Sequence, residues 1–286
     1  MPSDTQKEPG YNSPGSFHSQ NCAEACRPTN PHSFSQTRFL EHLRTSWLGR
    51  DFHHESAVGS TMEVARSLAV HGAPSGAVVL AEEQEQGRGR LSRRWFSPPG
   101  VNLYLSIVLR PTLERLPVLA MIAPLAVVDG VRTACGLECT LKWPNDVQVK
   151  GRKLAGVLVE SELIGGQPEL AIAGVGINVN YDSSGEPEIA EIATSTMRET
   201  GAEQERELLL ARFLEAFERW YEAPVDEIRS LWRARLTTLG QTVRVVLGQQ
   251  VEEGLAEDVT GDGSLILRRT DGSCITLPAG EVTLRA

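Results

Sequence analysis

Between Val101 and Arg110 the chain alternates: Val101, Leu103, Leu105, Ile107 and Leu109 take turns with Asn102, Tyr104, Ser106 and Arg110. Period two predicts a strand. Elsewhere the spacing is helical. Phe39, Leu40, Leu43 and Trp47 predict a short amphipathic helix, and Glu63 to Val70 a second one, with Ser60 or Thr61 as its N-cap. Pro117 to Thr133 is apolar nearly all round, which suits a buried helix kinked at Pro124. Ala77 to Ala81, the neighbours of Leu141, Ala155 to Glu160 and Glu169 to Val179 read as further strands. Helices return at Glu205 to Tyr221, where Leu209, Phe213, Leu214, Phe217 and Trp220 form the stripe, and at Val225 to Leu236. Strands and helices in mixed order indicate an α+β domain.

The two ends differ from this middle. Thr242 to Leu247, Glu252 to Asp258, Leu265 to Arg269, Ile275 to Leu277 and Val282 to Leu284 are short strand patterns. Asp262-Gly263 and Asp271-Gly272 are hairpin signals between them. Residues 237–286 are therefore expected to form a small β-barrel. Residues 1–36 hold no Val, Leu, Ile or Trp and five of the 16 prolines. Such a stretch cannot bury enough apolar surface to offset its ordering entropy, so it is expected to be a disordered extension. That leaves 37–236 as the main domain.

Charge and cysteine usage narrow the function. With 28 Lys and Arg against 37 Asp and Glu, the net charge is −9. This balance lacks the basic footprint of a nucleic-acid-binding protein, so no nucleic-acid partner is expected. The longest unbroken apolar run, Val118 to Val128, falls short of the ~20 residues that span a bilayer. No basic region followed by an apolar stretch marks the N-terminus. The expectation is a cytoplasmic protein without a membrane partner. Five cysteines, two pairs of them at CxxxC spacing, make no disulfide framework. No His accompanies Cys135 and Cys139, so unliganded thiols are expected rather than zinc.

Three segments carry candidate chemistry. The first runs from Gln84 to Trp95 and holds Arg88, Arg90, Arg93 and Arg94 among Gly87 and Gly89. Glycine lets backbone approach a ligand closely, and arginine forks suit phosphate and carboxylate. The segment reads as a loop at a sheet edge that closes over a small anion; the plain alternative is a solvated hairpin tip. The second is Lys142-Trp143-Pro144-Asn145-Asp146, followed by Gly151-Arg152-Lys153-Leu154-Ala155-Gly156. It has strong turn chemistry, and a tight turn with its charges outside is the plain reading. Yet Lys153, at the mouth of an apolar strand, is suited to stabilise developing negative charge. Asp146 is suited to position Mg²⁺, which takes a few carboxylates together with phosphate oxygens. The third is Ala173-Gly174-Val175-Gly176-Ile177-Asn178. No helix follows its GxG, so it is not a dinucleotide fingerprint but a strand that a ligand approaches closely, with Asn178 available to a base edge.

Taken together, these segments resemble biotin–protein ligases. The resemblance rests on Gly59-Ser60-Thr61, Gly87-Arg88-Gly89-Arg90 with Trp95, Lys142 to Asp146, Arg152 to Gly156, Gly174 to Asn178 and Ala193-Thr194-Ser195, in the family's order. It spans residues 37–286. It implies a mixed-sheet catalytic domain of the class II synthetase-like biotin/lipoate ligase type with a C-terminal SH3-like β-barrel. It also implies ATP-dependent activation of biotin to biotinyl-5′-AMP, with Mg²⁺, and transfer to one lysine of a biotin carboxyl-carrier protein such as the acetyl-CoA carboxylase subunit. By the same resemblance Lys153, Arg90 and Asp146 are the catalytic residues, with Asp146 as the Mg²⁺ ligand. Ser60, Thr61, Met62, Gln84, Arg88, Gly89, Arg90, Lys153 and Gly156 bind biotin. Arg88, Arg90, Trp95, Asn145, Lys153 and Asn178 bind the nucleotide. Edge strands in this family often pair two subunits, so a homodimer is allowed.

Three departures stand out. Met62 occupies a position where many members have Asn, and Ser92 one where a third loop glycine is usual. The N-terminal stretch has no helix-turn-helix pattern, which implies the monofunctional type lacking the DNA-binding domain and no operator repression. The runner-up enzyme is a lipoate or octanoate ligase, whose Arg-Arg-x-Ser-Gly-Gly-Gly stretch is missing. A non-catalytic carrier-binding homologue is the third reading, against which Lys153, Asp146, Arg88 and Arg90 stand intact.

Overall fold

A seven-stranded sheet organises the main domain in the computed structural model, which describes residues 33–90, 94–185, 189–278 and 280–284. The expected disordered extension lies outside the described residues as far as 32, as does Ser92. The strands are β1 (Phe52–Glu55), β2 (Val78–Ala81), β3 (Leu103–Leu109), β4 (Thr140–Lys142), β5 (Asp146–Val149), β6 (Arg152–Ile164) and β7 (Gln167–Ile177). They lie in the order β1-β2-β3-β7-β6-β5-β4, with β1 and β2 parallel and the other neighbours antiparallel. The helices are α1 (Gln36–His42), α2 (Thr61–Val70), α3 (Leu119–Cys135), α4 (Thr196–Thr200), α5 (Arg206–Glu222) and α6 (Val225–Ala234). The hydropathy pattern does not show β1 and β5, because each is four residues long and at least half polar or charged.

The alternation in β3 divides two cores rather than core from water. Leu103, Leu105, Ile107 and Leu109 join Val175, Ile177, Val128, Phe213 and Phe217 in the main core, formed with α3 and α5. Val108 points the other way and joins Met62, Ala65, Ala69 and Ile172 under α2. All seven β3 residues are consequently buried. Leu116–Cys135 is 20 residues long and includes an apolar stretch of mean hydropathy 1.7, the length and composition of a membrane span. It is instead the central core helix of the fold, 72% buried. Its one buried carboxylate, Asp129, accepts from Trp220 Nε1 at 2.8 Å and Arg219 Nη2 at 2.5 Å.

The fold includes residues that the composition assigns to the extension. Phe34 is 5% exposed, with its ring centroid 5.8 Å from Phe39, 6.0 Å from Phe52 and 5.2 Å from the His54 ring. Ser35 caps α1 by accepting from the Arg38 N–H. Residues 33–36 therefore belong to the fold and not to the extension. Helix α1 stops at His42 with Leu40 on its exposed face, and Trp47 sits beyond it against Tyr221, at 5.3 Å.

The second sheet is the small SH3-like C-terminal domain: β8 (Thr242–Leu247), β9 (Gln250–Val259), β10 (Leu265–Arg268), β11 (Cys274–Leu277) and β12 (Glu281–Leu284), in the order β11-β10-β9-β8-β12. Gly263 and Gly272 adopt φ of 88° and 86°, the left-handed conformation that their hairpin turns require. Its apolar interior is continuous with that of the main domain. Val243, Ala256, Leu265 and Leu267 share one cluster with Trp143, Trp232 and Met121. Trp143 is 1% exposed; its indole N–H donates to the Gly263 carbonyl at 2.8 Å and its backbone N–H to Thr238 Oγ1 at 2.9 Å.

Candidate active site

On the second face of the large sheet, beside the start of α2, a cavity of about 1080 Å³ opens. Directly opposed residues on antiparallel strands share a face. Tyr104, Gly176, Gly156, Asp146 and Lys142 form one such row across β3, β7, β6, β5 and β4. The two glycines leave a flat floor in the middle of the row, and Trp95 lies on it. A Cβ on Gly176 would stand 2.5 Å from Trp95 Cε2, and one on Gly156 2.8 Å from Trp95 Cζ3. The Trp95 indole nitrogen is buried without a hydrogen-bond partner among the described residues.

Lys153 reaches this face through a bulge. Strand β6 pairs Ala155 with Val147 but Lys153 with Gln148, so Leu154 is the extra residue. Strict alternation would turn Lys153 towards the core with Ala155; the bulge turns it to the side of Asp146 and Gln148. Lys153 Nζ lies 2.7 Å from Asp146 Oδ1 and 5.2 Å from the centre of the Trp95 ring. Its backbone is clasped by the segment that walls the cavity: Lys153 N donates to Ile192 O at 2.8 Å, and Thr194 N to Lys153 O at 2.9 Å.

The inner end is built at the start of α2. Ser60 stands at the N-cap, yet its side chain makes no capping bond. The Thr61 N–H is taken instead by Gln84 Oε1, at 3.0 Å, which also accepts from Thr61 Oγ1 at 3.1 Å. Ser60 is the N-cap, as expected, but the first N–H of the helix is satisfied by a side chain 23 positions away. Met62 lies beside them, 4% exposed, its Sδ 2.9 Å from where a Cβ on Gly174 would stand. Met62 and Gly174 make one side of this corner apolar.

Arg88, Gly89 and Arg90 line the mouth. Their loop joins β2 to β3, which are interior strands, so it sits over the end of the sheet and not at a sheet edge as the sequence suggested. Arg88 lies 3.9 Å from Glu63 and 3.8 Å from Glu160. Burial draws the Arg90 guanidinium below its ordinary pKa, and the Asp146 carboxylate opposes that. Asn145 and Asn178 line the cavity with their amides in use: Asn145 Nδ2 donates to Val157 O, and Asn178 Nδ2 to Thr194 O at 3.0 Å. Of Ala193-Thr194-Ser195, the first two line the cavity, whereas Ser195 is buried and caps α4.

All the site residues expected from sequence therefore border one cavity. Sequence reasoning passed over Ser97 and Ser106, which bond to Gln84 and Thr61. It also missed Glu199, whose carboxylate, buried on α4, holds Arg152 at 2.6 Å and Lys150 at 3.0 Å. None of these has a local signature, since each matters through a partner distant in sequence. The electrostatics are lopsided. Arg88, Arg90, Arg94, Lys142, Lys150 and Lys153 face the cavity against two carboxylates, Asp146 and Glu191, in a chain of net charge −9. A polyanionic ligand matches such a field. Among the described residues no group of three His, Cys, Asp or Glu side chains could hold a metal ion. One cavity carboxylate such as Asp146, completed by phosphate oxygens, is a donor set that Mg²⁺ accepts.

Comparisons with known proteins agree with this geometry. Residues 56–178 match the biotin/lipoate A/B protein ligase family, and residues 238–285 the biotin protein ligase C-terminal domain. The chain is 37% identical over 226 residues to a biotin–[acetyl-CoA-carboxylase] ligase of Paracoccus denitrificans, covering 74% of this chain and 91% of that one. It is 32% identical over 249 residues to the bifunctional ligase/repressor BirA of Bacillus spizizenii, covering 85% and 77%. Among solved structures it is similar to the biotin protein ligase from Aquifex aeolicus in complex with biotin and ATP. The TM-score is 0.68 and the identity 29%, over 82% of this chain and 99% of that one.

Proposed function

The chain belongs to the biotin protein ligase family, and from that premise we propose how its cavity works. The protein is an ATP-dependent biotin–[acetyl-CoA-carboxylase] ligase. It joins biotin to ATP as biotinyl-5′-AMP and passes biotin to a lysine of a carboxyl-carrier protein in the cytoplasm. The observation that carries this reading is the meeting of Lys153, Asp146 and Arg90 beside the Gly156–Gly176 floor.

In the first half-reaction a biotin carboxylate oxygen attacks the α-phosphorus of ATP, and the bond to the β-phosphate bridging oxygen breaks to release pyrophosphate. Two anions must approach each other. Arg88, Arg90 and Lys153 offset that repulsion, and Lys153, already held by Asp146, stabilises charge with little reorganisation. The biotin bicycle lies in the apolar corner under Met62, with Thr61 and Gln84 hydrogen-bonding its ureido group and Ser60 beside them. Trp95, Asn145 and Asn178 flank the nucleotide. Asp146 orients Lys153 and is the residue that would hold Mg²⁺, which supplies charge neutralisation to the phosphates when bound.

In the second half-reaction the carrier's lysine amine, as the free base, attacks the carbonyl carbon of the mixed anhydride. The carbon–oxygen bond to phosphate breaks, AMP leaves, and the amine loses a proton as the amide forms. Until then the arginine loop and the 189–194 wall exclude water from the anhydride.

Pyrophosphate release from Mg²⁺-ATP tests the reading, run with biotin and with lipoate, and with and without a carrier domain. Release with biotin and transfer of label to one carrier lysine are expected. Release with lipoate alone would overturn it.

A further inference from the structure

We propose that Ser97 is a positioning residue for the adenylation site: it ties the neck of the arginine loop to the side chain that senses the biotin end of the pocket. The inference rests on the biotin-ligase reading above and adds to it a residue that touches neither substrate.

Five polar groups form one directed chain. Ser106 Oγ donates to Thr61 Oγ1 at 2.8 Å, and Thr61 Oγ1 donates to Gln84 Oε1 at 3.1 Å. From the other end of the same amide, Gln84 Nε2 donates to Ser97 Oγ at 3.2 Å, and Ser97 Oγ donates to the Trp95 carbonyl at 3.2 Å. Ser106 and Ser97 are 0% and 7% exposed, so water does not substitute readily for either. The Thr61 and Ser97 hydroxyls each both accept and donate, which polarises the chain in one direction.

The chain ends where the loop is pinched shut. Trp95 N donates to Gly87 O at 2.8 Å, closing a neck from which Arg88 and Arg90 project. The relay passes directly over Gly87. A Cβ there would stand 2.6 Å from the Trp95 oxygen, 2.8 Å from Ser97 Oγ and 3.2 Å from Gln84 Nε2. Glycine at 87 is thus required by the contact itself. Ser97 is the side chain that joins Gln84 to this neck. The same Gln84 oxygen holds the Thr61 N–H at the start of α2. A ligand group that engages Gln84 or Thr61 consequently acts on the anchor of the arginines, and the position of Arg90 over the adenylate depends on a hydroxyl that never meets it.

The test uses the full chain. Wild type, Ser97→Ala and Ser97→Thr are loaded with labelled biotin and Mg²⁺-ATP, and the lifetime of the bound adenylate is followed after an unlabelled chase. Biotin affinity without ATP is measured in parallel, and thermal midpoints report folding. Ser97→Ala should shorten the adenylate lifetime roughly five- to tenfold, the scale of one buried hydrogen bond. Biotin affinity should move much less, and Ser97→Thr, which keeps the hydroxyl, should restore the lifetime. In an Arg90→Ala background, Ser97→Ala should add little, because the arginine it positions is gone; a merely structural role would add in full. Gly87→Ala, which crowds the same contact, should reproduce the short lifetime and serves if Ser97→Ala fails to fold. An unchanged lifetime in Ser97→Ala, or full additivity with Arg90→Ala, would overturn the proposal alone. A wild-type chain that forms no adenylate would overturn the ligase reading and this inference with it.

Discussion

Lys153 meets Asp146, Nζ to Oδ1 at 2.7 Å, because a single bulge residue, Leu154, separates the register of the two ends of β6. Under strict alternation through Leu154 the lysine would point into the main core, on the side of Ala155. A charged amine in that core would be costly to bury. The bulge delivers it to the cavity face already partnered, which makes its effect on the reaction the first thing to measure.

Lys153→Ala should slow adenylate formation by roughly 10²- to 10³-fold, the scale of removing one pre-organised electrostatic donor. Single-turnover formation of biotinyl-5′-AMP reads this directly. A rate within a few-fold of wild type would remove Lys153 from the chemistry.

Gly176→Ala should displace Trp95, since the new Cβ would fall 2.5 to 2.7 Å from three atoms of the indole. Overpacking of this kind costs about 1–3 kcal/mol. The expected signature is a changed tryptophan emission and weaker adenylate binding with the fold retained. If emission and binding both match wild type, the indole does not lie on the glycine floor.

Trp143→Ala should cost about 3–5 kcal/mol, the range for a buried aromatic. Because Trp143 joins the two sheets through the core and through Gly263, the variant should also lose cooperativity. Calorimetry is expected to resolve a separate low-temperature transition for the C-terminal sheet. One sharp transition at the wild-type temperature would argue that the two sheets are coupled elsewhere.

Glu82 should make the fold sensitive to acid. Burial alone would raise its pKa, but hydrogen bonds from His54 and Arg206 and the Arg206 charge outweigh that and hold it below the ordinary 4.5. A depressed folded pKa means that the stabilisation is fully present above the ordinary value and is lost as pH falls through the folded one. Glu82→Gln should cost about 3–5 kcal/mol at neutral pH by leaving buried Arg206 without its carboxylate. The difference from wild type should shrink as pH drops below about 4.5. Urea midpoints measured from pH 7 to pH 3 check both the size and the direction.

Truncation separates the tail from the fold. Removing residues 1–32 should leave both half-reactions intact. Removing residues 1–36 takes away the Phe34 ring and the Ser35 cap, and Phe34→Ala alone should cost about 3–5 kcal/mol. Equal melting temperatures for the two truncations would mean that Phe34 contributes nothing.

By itself the sequence determined the elements with strong periodicity and the residues that border the cavity. The helices at Leu119–Cys135 and Arg206–Glu222 are long and heavily apolar on the buried side, so local pattern and tertiary packing agree. The Arg88–Arg90, Asn145–Asp146 and Lys153–Gly156 motifs were legible because close backbone approach and charge must be written in glycines and cations. Only the tertiary structure decided which way these groups face. Lys153 defies period two because register belongs to a pair of strands and not to one. Gln84 takes the first N–H of α2 because an orphan donor goes to whichever acceptor the fold brings near. The arginine loop lies over interior strands because sheet order is set by long-range pairing. Ser97 has no mark in the chain at all: its role comes from lying 3.2 Å from an amide 13 residues away, a distance that exists only once β2 and β3 have paired.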